Sequence, residues 1–122
     1  MLFRSIRKMH EAKLRGDATL RLWGTGTPLR EFLHADDLAE ACMLLLDRYS
    51  QPGHINVGSG EELSIRDLAG LVARTVGYAG RLEFDPSMPD GTPRKLMDVS
   101  RIRALGWKHR VALPDGVRDA YA

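Results

Sequence analysis

Helix-like stretches alternate with short strand-like stretches along this chain, and glycines stand at most of the boundaries between them. Residues 4–15 have helical spacing, which places Ile6, Met9 and Leu14 on the inward face. The next stretch, "TLRLW" at 19–23, alternates polar and apolar side chains as a half-buried strand does. Because helices and strands mix along the sequence, the pattern predicts an α/β fold.

Two further helices have recognisable start signals. Asp36 and Asp37 stand where helix caps belong, directly before an apolar-periodic stretch over 38–49. Ser64 is expected to cap a helix over 65–76, with an acidic side chain three residues later as in a capping box. The remaining predicted elements are strands at 30–34, 54–58 and 81–84, a short helix at 99–107, and a last helix from about 113 to the C-terminus.

The helix over 38–49 is expected to bury a broad apolar stripe. The positions with helical spacing are Leu38, Ala41, Cys42, Leu45 and Leu46. Cys42 lies in the middle of that stripe and is predicted to be a core residue. It is the chain's only cysteine, so no internal disulfide can form, which agrees with a reducing compartment.

The composition argues against several classes of protein. With 122 residues, of which 43% are hydrophobic and 28% charged, the chain is expected to form one globular domain with its own core. No apolar run approaches the roughly 20 residues of a membrane span, and no secretory leader pattern is visible. We therefore expect a cytoplasmic protein without a membrane partner. The net charge of +2 is only mildly basic, and no aromatic platforms accompany the basic groups, so nucleic acid is not expected as a partner.

Basic side chains are nevertheless grouped in two parts of the sequence. The first group is Arg4, Arg7, Lys8, Lys13 and Arg15. The second is Arg101, Arg103, Lys108 and Arg110. A solvated surface explains either group, and so does a site for an anionic small molecule, so both interpretations remain open.

Two irregular segments, 23–30 and 86–95, combine glycine, proline, hydroxyl side chains and basic residues. Glycine lets backbone N–H groups approach a ligand, and arginine can hold phosphate oxygens through two parallel hydrogen bonds. Trp23 would add a flat apolar wall for a sugar or base. Neither segment is a P-loop, since no Gly-Lys-Ser/Thr follows the glycines. A diphosphate site and a pair of plain turns both remain open.

Three stretches carry a resemblance to a known family. They are "LWGTGTPLREFLHADDLAEA", "HINVGSGEELSIRDLA" and "PDGTPRKLMDVSRIRALGW". Together they resemble the C-terminal part of the GDP-L-fucose synthase family, within the extended short-chain dehydrogenases. The resemblance covers about residues 6–122, which are expected to be a substrate-binding C-terminal region truncated at both ends. Residues 1–5, "MLFRS", do not resemble the family and are expected to be a non-native start.

The resemblance implies an activity that this chain would share with another lobe. The family converts GDP-4-keto-6-deoxy-D-mannose to GDP-L-fucose by epimerising two carbons and then reducing the ketone with NADPH. Its NADP is bound by an N-terminal Rossmann half, and its full-length members tend to be homodimers. The chain is therefore expected to contribute GDP-sugar binding, to lack the Rossmann half, to be inactive alone, and to expose apolar patches where that half would pack.

The resemblance also assigns candidate substrate-binding residues. Trp23 and Arg30 match contacts in the first loop, Asp90 matches one in the second, and Lys8 falls where the family has a basic contact. Lys8 and Arg30 would offset the diphosphate charge, Asp90 would accept hydrogen bonds from ribose or guanine, and Trp23 would pack on the nucleotide or sugar. Other roles remain open: core packing for Trp23, a structural ion pair for Arg30, and a simple turn for Asp90.

No catalytic, cofactor or metal residue is expected within these 122 residues. None of the three tyrosines is followed four residues later by lysine, so the family's Tyr-x-x-x-Lys pair is not in this sequence. The family's acid/base cysteine and histidine would also lie outside it. The four histidines have no metal-binding spacing, and His34 is expected to make a structural hydrogen bond beside a helix cap.

Two other functions remain open at this point. The chain could be a nucleotide-sugar binding module without catalysis. It could also be part of another epimerase or dehydratase of the same superfamily that acts on a different nucleotide sugar.

Overall fold

The computed structural model describes residues 2–122 and contains five helices and four strands over that range. The elements run α1 Leu2–Arg15, β1 Thr19–Trp23, β2 Leu29–Glu31, α2 Ala35–Arg48, β3 Glu62–Ser64, α3 Ile65–Val76, β4 Arg81–Asp85, α4 Ser100–Ala104 and α5 Leu113–Tyr121. The expected α/β mixture is therefore present, with helices and strands alternating through most of the chain.

The strands form two small sheets. β1 and β4 are parallel neighbours, in a register that pairs Thr19 with Arg81 and Trp23 with Asp85. β2 and β3 are antiparallel, and Leu29 pairs with Ser64. In the parallel pair both strands end at the same edge, so the segments that follow β1 and β4 leave the sheet side by side.

One core joins α1, α3 and α5. Its buried side chains are Ile6, Met9, Ala12, Leu68, Ala69, Val72, Val76, Tyr78 and Val117. Met9, Val72 and Val117 have no exposed surface, and burying a side chain of this kind stabilises a fold by roughly 1.5–3 kcal/mol. Leu14, expected to point inward, is 72% exposed, because the α1 side chains nearest the core are Ile6, Met9 and Ala12.

A second, smaller core lies around Trp107. Its buried members are Ala41, Val99, Ile102 and Trp107. Asp37 is also buried, and its carboxylate accepts the backbone N–H groups of Arg110 and Val111 at 3.1 and 2.9 Å. This carboxylate therefore fastens the start of α2 to the segment that leads into α5.

The helix caps were predicted correctly for α3 and incorrectly for α2. Ser64 accepts the N–H of Asp67 at 3.0 Å, and Gly77 ends α3 in the left-handed conformation with φ +79°. The α2 cap is His34, whose Nδ1 accepts the N–H of Asp36 at 3.2 Å. Asp36 and Asp37 already belong to the helix, and the carboxylate of Asp37 binds the backbone of Arg110 and Val111 instead of capping α2.

Several strand predictions need correction. Residues 54–58 form no strand, and no other strand in residues 2–122 pairs with them. Of the strand expected at 30–34, only residues 30 and 31 are in a strand, namely β2. The strand β3 was not expected at all. A strand needs a hydrogen-bonding neighbour as well as a favourable pattern. Between residues 24 and 64, β2 and β3 pair with each other, and residues 54–58 have no such neighbour.

Cys42 is exposed, so the expectation of a core cysteine is wrong. Leu38 and Leu46, from the same expected stripe, are 45% and 81% exposed. Within α2 only Asp37 and Ala41 are buried. The helix thus contacts the described chain along a narrow strip and leaves most of its apolar face uncovered. None of the helices in residues 2–122 has the length and apolar character needed to cross a membrane.

Candidate functional site

The two loops singled out in the sequence lie next to each other. The first loop, residues 24–28, follows β1, and the second loop, residues 86–95, follows β4. Because β1 and β4 are parallel neighbours, both loops start at one edge of the sheet. The N–H of Gly24 donates to the carbonyl of Asp85 at 2.8 Å and continues the pairing one residue beyond the strand.

Asp90 of the second loop holds the first loop through both of its carboxylate oxygens. The backbone N–H of Thr25 donates to Oδ1 at 2.7 Å, and the Thr25 hydroxyl donates to Oδ2 at 2.8 Å. A third connection lies further along, where the N–H of Leu29 donates to the carbonyl of Pro93 at 2.9 Å. Hydrogen bonds to an ionised carboxylate are stronger than neutral ones, so this contact is the principal tie between the loops.

Arg66, in the first turn of α3, supports the first loop from the other side. Its Nη2 donates to the carbonyl of Thr25 at 2.9 Å, and its backbone N–H donates to the carbonyl of Gly26 at 2.9 Å. The guanidinium also lies over the ring of Phe84, 4.4 Å from the centroid. The first loop is therefore fixed between the second loop and α3.

The contact between Asp90 and Thr25 requires a glycine at position 24. Its φ of +84° is in the left-handed region, and a Cβ there would collide with Oδ1 of Asp90. A side chain at this position would meet both obstacles at once. The glycine thus allows the Asp90 carboxylate to reach the backbone of Thr25.

A cavity of about 680 Å³ lies between α1, the two loops and α3. The residues that line it are Arg4, Ser5, Lys8, Leu22, Trp23, Pro28, Ile65, Leu68, Ala69, Pro89 and Asp90. Ligand pockets usually have about 300–1,000 Å³ with an apolar lining and a few polar groups, and this cavity fits that description. Its cations come from α1 and its carboxylate from the second loop.

The structure brings three of the four predicted site residues together. Lys8, Trp23 and Asp90 come from α1, the end of β1 and the second loop, and all three line the cavity. Trp23 is 59% exposed, which rules out the core role left open for it. Asp90 does more than form a turn, since it binds Thr25 across 65 residues of sequence.

Arg30 is close to these residues but is not part of the cavity lining. Its Nη1 donates to the carbonyl of Leu29 at 2.7 Å, and its Nη2 lies 3.6 Å from the position a Cβ on Gly91 would occupy. No carboxylate in residues 2–122 forms an ion pair with it, so the structural ion pair left open for Arg30 is not found there. Arg30 therefore lies beside the second loop, next to Gly91, which directly follows Asp90 in the sequence.

Sequence reasoning singled out neither Thr25 nor Arg66, whereas Arg4 belongs to the first basic group, for which a site for an anionic small molecule was left open. Arg4 lies four residues before Lys8, so helical spacing places both on one face of α1. It also lies within residues 1–5, the expected non-native start; Met1 of that stretch is outside the described residues, and the expectation stays a prediction. Nothing in the local sequence reports the contacts of Thr25 and Arg66.

The start of the second loop is held by Asp85. Its Oδ1 accepts both the hydroxyl of Ser87, at 2.5 Å, and the backbone N–H of Ser87, at 3.0 Å. These hydrogen bonds hold the pKa of the Asp85 carboxyl below its ordinary value, and Arg21, 3.9 Å away, acts in the same direction. The turn at 85–87 is therefore best formed when Asp85 is ionised.

His34 and His10 each make hydrogen bonds that connect parts of the fold. His34 caps α2 and its Nε2 lies 3.0 Å from Asp119, which confirms the structural hydrogen bond expected for it. His10 contacts the hydroxyl of Tyr121 at 2.9 Å. Within residues 2–122 no cluster of histidine, cysteine, aspartate and glutamate is suited to a metal ion.

An uncovered apolar face lies on α2, away from the cavity. It consists of Leu38, Cys42, Met43 and Leu46, all exposed. Residues 54–58 have the composition of a strand but no strand partner in the described chain. Exposed apolar patches of this kind usually mark a surface covered by another body, and the family resemblance had implied such patches.

Comparison with known proteins identifies the relatives of the chain. Residues 1–58 match the model of the NAD dependent epimerase/dehydratase family. The chain is 56% identical to GDP-L-fucose synthase 1 of Arabidopsis thaliana over 116 residues, which are 95% of the chain and 36% of that protein. It is 55% identical to probable GDP-L-fucose synthase 1 of Oryza sativa subsp. japonica, again over 95% of the chain and 35% of that protein.

The resemblance to the GDP-L-fucose synthases is confirmed. The chain spans little more than a third of the length of these relatives.

A solved structure gives the same fold. It is a GDP-mannoheptose C4 reductase from Campylobacter jejuni with NADP bound, which is 38% identical and superimposes with a TM-score of 0.84. The match covers 98% of this chain and 43% of that one. The expected fold class, an α/β region of an extended short-chain dehydrogenase, is therefore confirmed, and the chain spans less than half of the length of this solved structure.

Proposed function

We propose that this chain is the GDP-sugar binding part of a GDP-L-fucose synthase. The observation that supports this most is the cavity, in which Lys8, Trp23 and Asp90 meet although they lie far apart in sequence. These are residues that the resemblance had assigned to the substrate. Its volume of about 680 Å³ is in the range that small-molecule ligands occupy.

In this proposal each side chain has a separate task. Lys8 neutralises diphosphate charge from α1, and Arg30 does so from the side of the second loop. Trp23 offers its exposed face to the nucleotide or sugar, as amphipathic aromatic rings commonly do at binding sites. Asp90 still has free lone pairs after binding Thr25, because each carboxylate oxygen can accept two hydrogen bonds, and these accept from ribose or guanine.

The reaction itself needs a second part. NADP supplies hydride in a GDP-L-fucose synthase, but the residues present here do not form a site for it: the sequence contains no Tyr-x-x-x-Lys pair, and neither "GTG" nor "GSG" has the spacing of a dinucleotide fingerprint. We therefore assign NADP and the catalytic groups to a Rossmann half that packs on the exposed face of α2. The 122 residues alone are then inactive. The homodimer, the cytoplasmic location and the non-native character of residues 1–5 stay predictions.

Activity of the full-length product of the source gene tests the proposal. With NADPH and GDP-4-keto-6-deoxy-D-mannose it is expected to form GDP-L-fucose, and UDP- and dTDP-sugars should give no turnover. Turnover of a UDP- or dTDP-sugar in place of the GDP-sugar would contradict the proposal. Binding of GDP-sugar without any turnover would instead support the non-catalytic module.

A second candidate is the 4-reductase reaction alone, on a larger GDP-sugar. The 38% identity to the C. jejuni GDP-mannoheptose C4 reductase favours it. A GDP-4-keto-heptose in the same assay separates the two candidates, because a heptose reductase should turn it over faster than the 6-deoxyhexose.

The role of Trp23 can be tested in the same protein. Trp23→Ala should weaken GDP-L-fucose binding about tenfold, because the loss of a stacked or packed aromatic face costs on the order of 1–2 kcal/mol. Trp23→Phe keeps a flat apolar wall and should remain within about threefold of the wild type. Calorimetric titration measures both, and equal affinities for all three proteins would remove Trp23 from the site.

A further inference from the structure

We propose that Thr25 is a positioning residue for the nucleotide sugar and acts through Asp90. This inference rests on the proposed function and adds a residue that neither the resemblance nor the family comparison assigns. Thr25 does not line the cavity, whereas Asp90 does. Any effect of Thr25 on the ligand must therefore pass through a neighbour.

The contacts show how Thr25 fixes the carboxylate. Asp90 is exposed and sits in a loop, where an aspartate side chain normally rotates freely. Its two oxygens are instead held by two donors of one residue, the N–H and the hydroxyl of Thr25 at 2.7 and 2.8 Å. Two parallel hydrogen bonds define the plane of a carboxylate as well as its position.

Thr25 is itself held in place. Its carbonyl accepts from Nη2 of Arg66 at 2.9 Å. Its hydroxyl lies 2.7 Å from the hydroxyl of Thr27 and 3.3 Å from the Thr27 N–H, which leaves it free to donate to Asp90. Every polar group of Thr25 is thus engaged, and the residue links α3 to the second loop.

A fixed carboxylate binds a ligand better than a mobile one, because its rotamer entropy is lost on folding and does not have to be lost on binding. Once Thr25 has taken one hydrogen bond on each oxygen, the remaining lone pairs point in defined directions. Because Asp90 lies on the cavity wall, those lone pairs are available to hydroxyl or N–H groups of a nucleotide sugar. Thr25 therefore sets the geometry in which Asp90 accepts.

The variants Thr25→Val and Thr25→Ser in the full-length product of the source gene test this inference. Valine has nearly the shape of threonine but lacks the hydroxyl donor, so the dissociation constant for GDP-L-fucose should rise about tenfold, which is the usual effect of losing a hydrogen bond to a charged group. KM should rise by a similar factor while kcat changes little, since the interaction is the same in ground and transition states. Thr25→Ser keeps the hydroxyl and should restore wild-type affinity.

The double variant with Asp90→Ala distinguishes positioning from general destabilisation. If Thr25 acts through Asp90, Thr25→Val should add no further loss of affinity once Asp90 is alanine. The matched control is Thr75→Val, which also removes a threonine hydroxyl bond, to the carbonyl of Leu71 at 2.9 Å in α3. It should leave affinity unchanged even if the melting temperature falls.

Three outcomes would overturn the inference. The first is wild-type affinity in Thr25→Val, and the second is losses that add in the double variant. If the wild type binds UDP-glucose and not GDP-L-fucose, the proposed function fails, and the same cycle measured with UDP-glucose still decides the role of Thr25. The third outcome is a wild type that binds neither ligand, which removes the inference together with the proposed function.

Discussion

Gly24 leaves the space in which the Asp90 carboxylate reaches the first loop. Gly24→Ala would place a methyl group against the Asp90 carboxylate at a backbone φ of +84°. We expect the free energy of unfolding to fall by about 1–3 kcal/mol and GDP-L-fucose affinity to fall with it. Chemical denaturation and calorimetric titration measure the two effects.

Gly53 provides the matched control for this substitution. It also has a positive φ, +98°, but nothing lies within 4 Å of the position of its Cβ. Gly53→Ala should therefore show the conformational cost without the loss of affinity. Equal loss of affinity in the two variants would mean that the close contact between Gly24 and Asp90 has no functional role.

The hydrogen bonds from Ser87 to Asp85 make the stability of the turn at 85–87 depend on pH. They hold the pKa of Asp85 below the ordinary value of 3.8. A carboxyl group with a lowered pKa in the folded state contributes stability above its unfolded value, and that contribution is lost as the pH falls through the folded value. The affected range therefore lies below about pH 4.

Ser87→Ala removes the hydroxyl donor to Asp85. The pKa of Asp85 should move back up toward its ordinary value, and the stability contributed above that range should decrease. A pH titration followed by the carboxyl carbon signal of Asp85 measures this shift. Ser50→Ala, at an exposed position in another loop, is the control, and an equal Asp85 titration in wild type and Ser87→Ala would contradict the assignment.

Helix α2 carries an exposed apolar face that nothing in residues 2–122 covers. Leu46 is 81% exposed there, whereas Ala41 is completely buried against the core around Trp107. In the 122-residue chain, Leu46→Lys should change the free energy of unfolding by no more than about 0.5 kcal/mol and should reduce aggregation, because it breaks an apolar patch.

The same substitution should behave differently in the full-length product. There Leu46→Lys would bury an unpaired charge if the Rossmann half packs on α2, and the melting temperature should fall. Light scattering and thermal denaturation of both proteins test this pair of expectations. An unchanged melting temperature in the longer protein would show that the face of α2 remains in solvent.

Sequence reasoning placed elements whose own residues give a strong signal, such as the alternating strand β1 at 19–23 and the capped helix α3. α3 carries its own start and stop, since Ser64 and Gly77 act on residues within the same helix. Strands depend on partners that are distant along the chain: β3 pairs with β2 although its sequence gives little signal. Residues 54–58 give a strand signal but have no partner strand within residues 2–122. Cys42 was misplaced for a similar reason. A periodic apolar pattern indicates that one helix face will be covered, but it does not show whether the covering residues belong to the same chain.

The candidate site follows the same division. The two loops were recognisable from their glycines, prolines and basic residues, and the resemblance supplied Lys8, Trp23, Arg30 and Asp90. Neither source indicated that Thr25 binds Asp90, because that contact joins residues 65 positions apart and depends on the parallel pairing of β1 with β4. A tertiary arrangement, and not a motif, produces the cavity.

For the molecule as a whole, the central claim is that one cavity between α1 and the two loops receives a GDP-sugar. A crystal structure of the full-length product with GDP-L-fucose measures this directly. We expect the diphosphate near Lys8 and Arg30, the face of Trp23 against the nucleotide or sugar, and Asp90 within hydrogen-bonding distance of ribose or guanine while still bound to Thr25. A ligand bound elsewhere, with Trp23 and Asp90 both out of contact, would contradict the account.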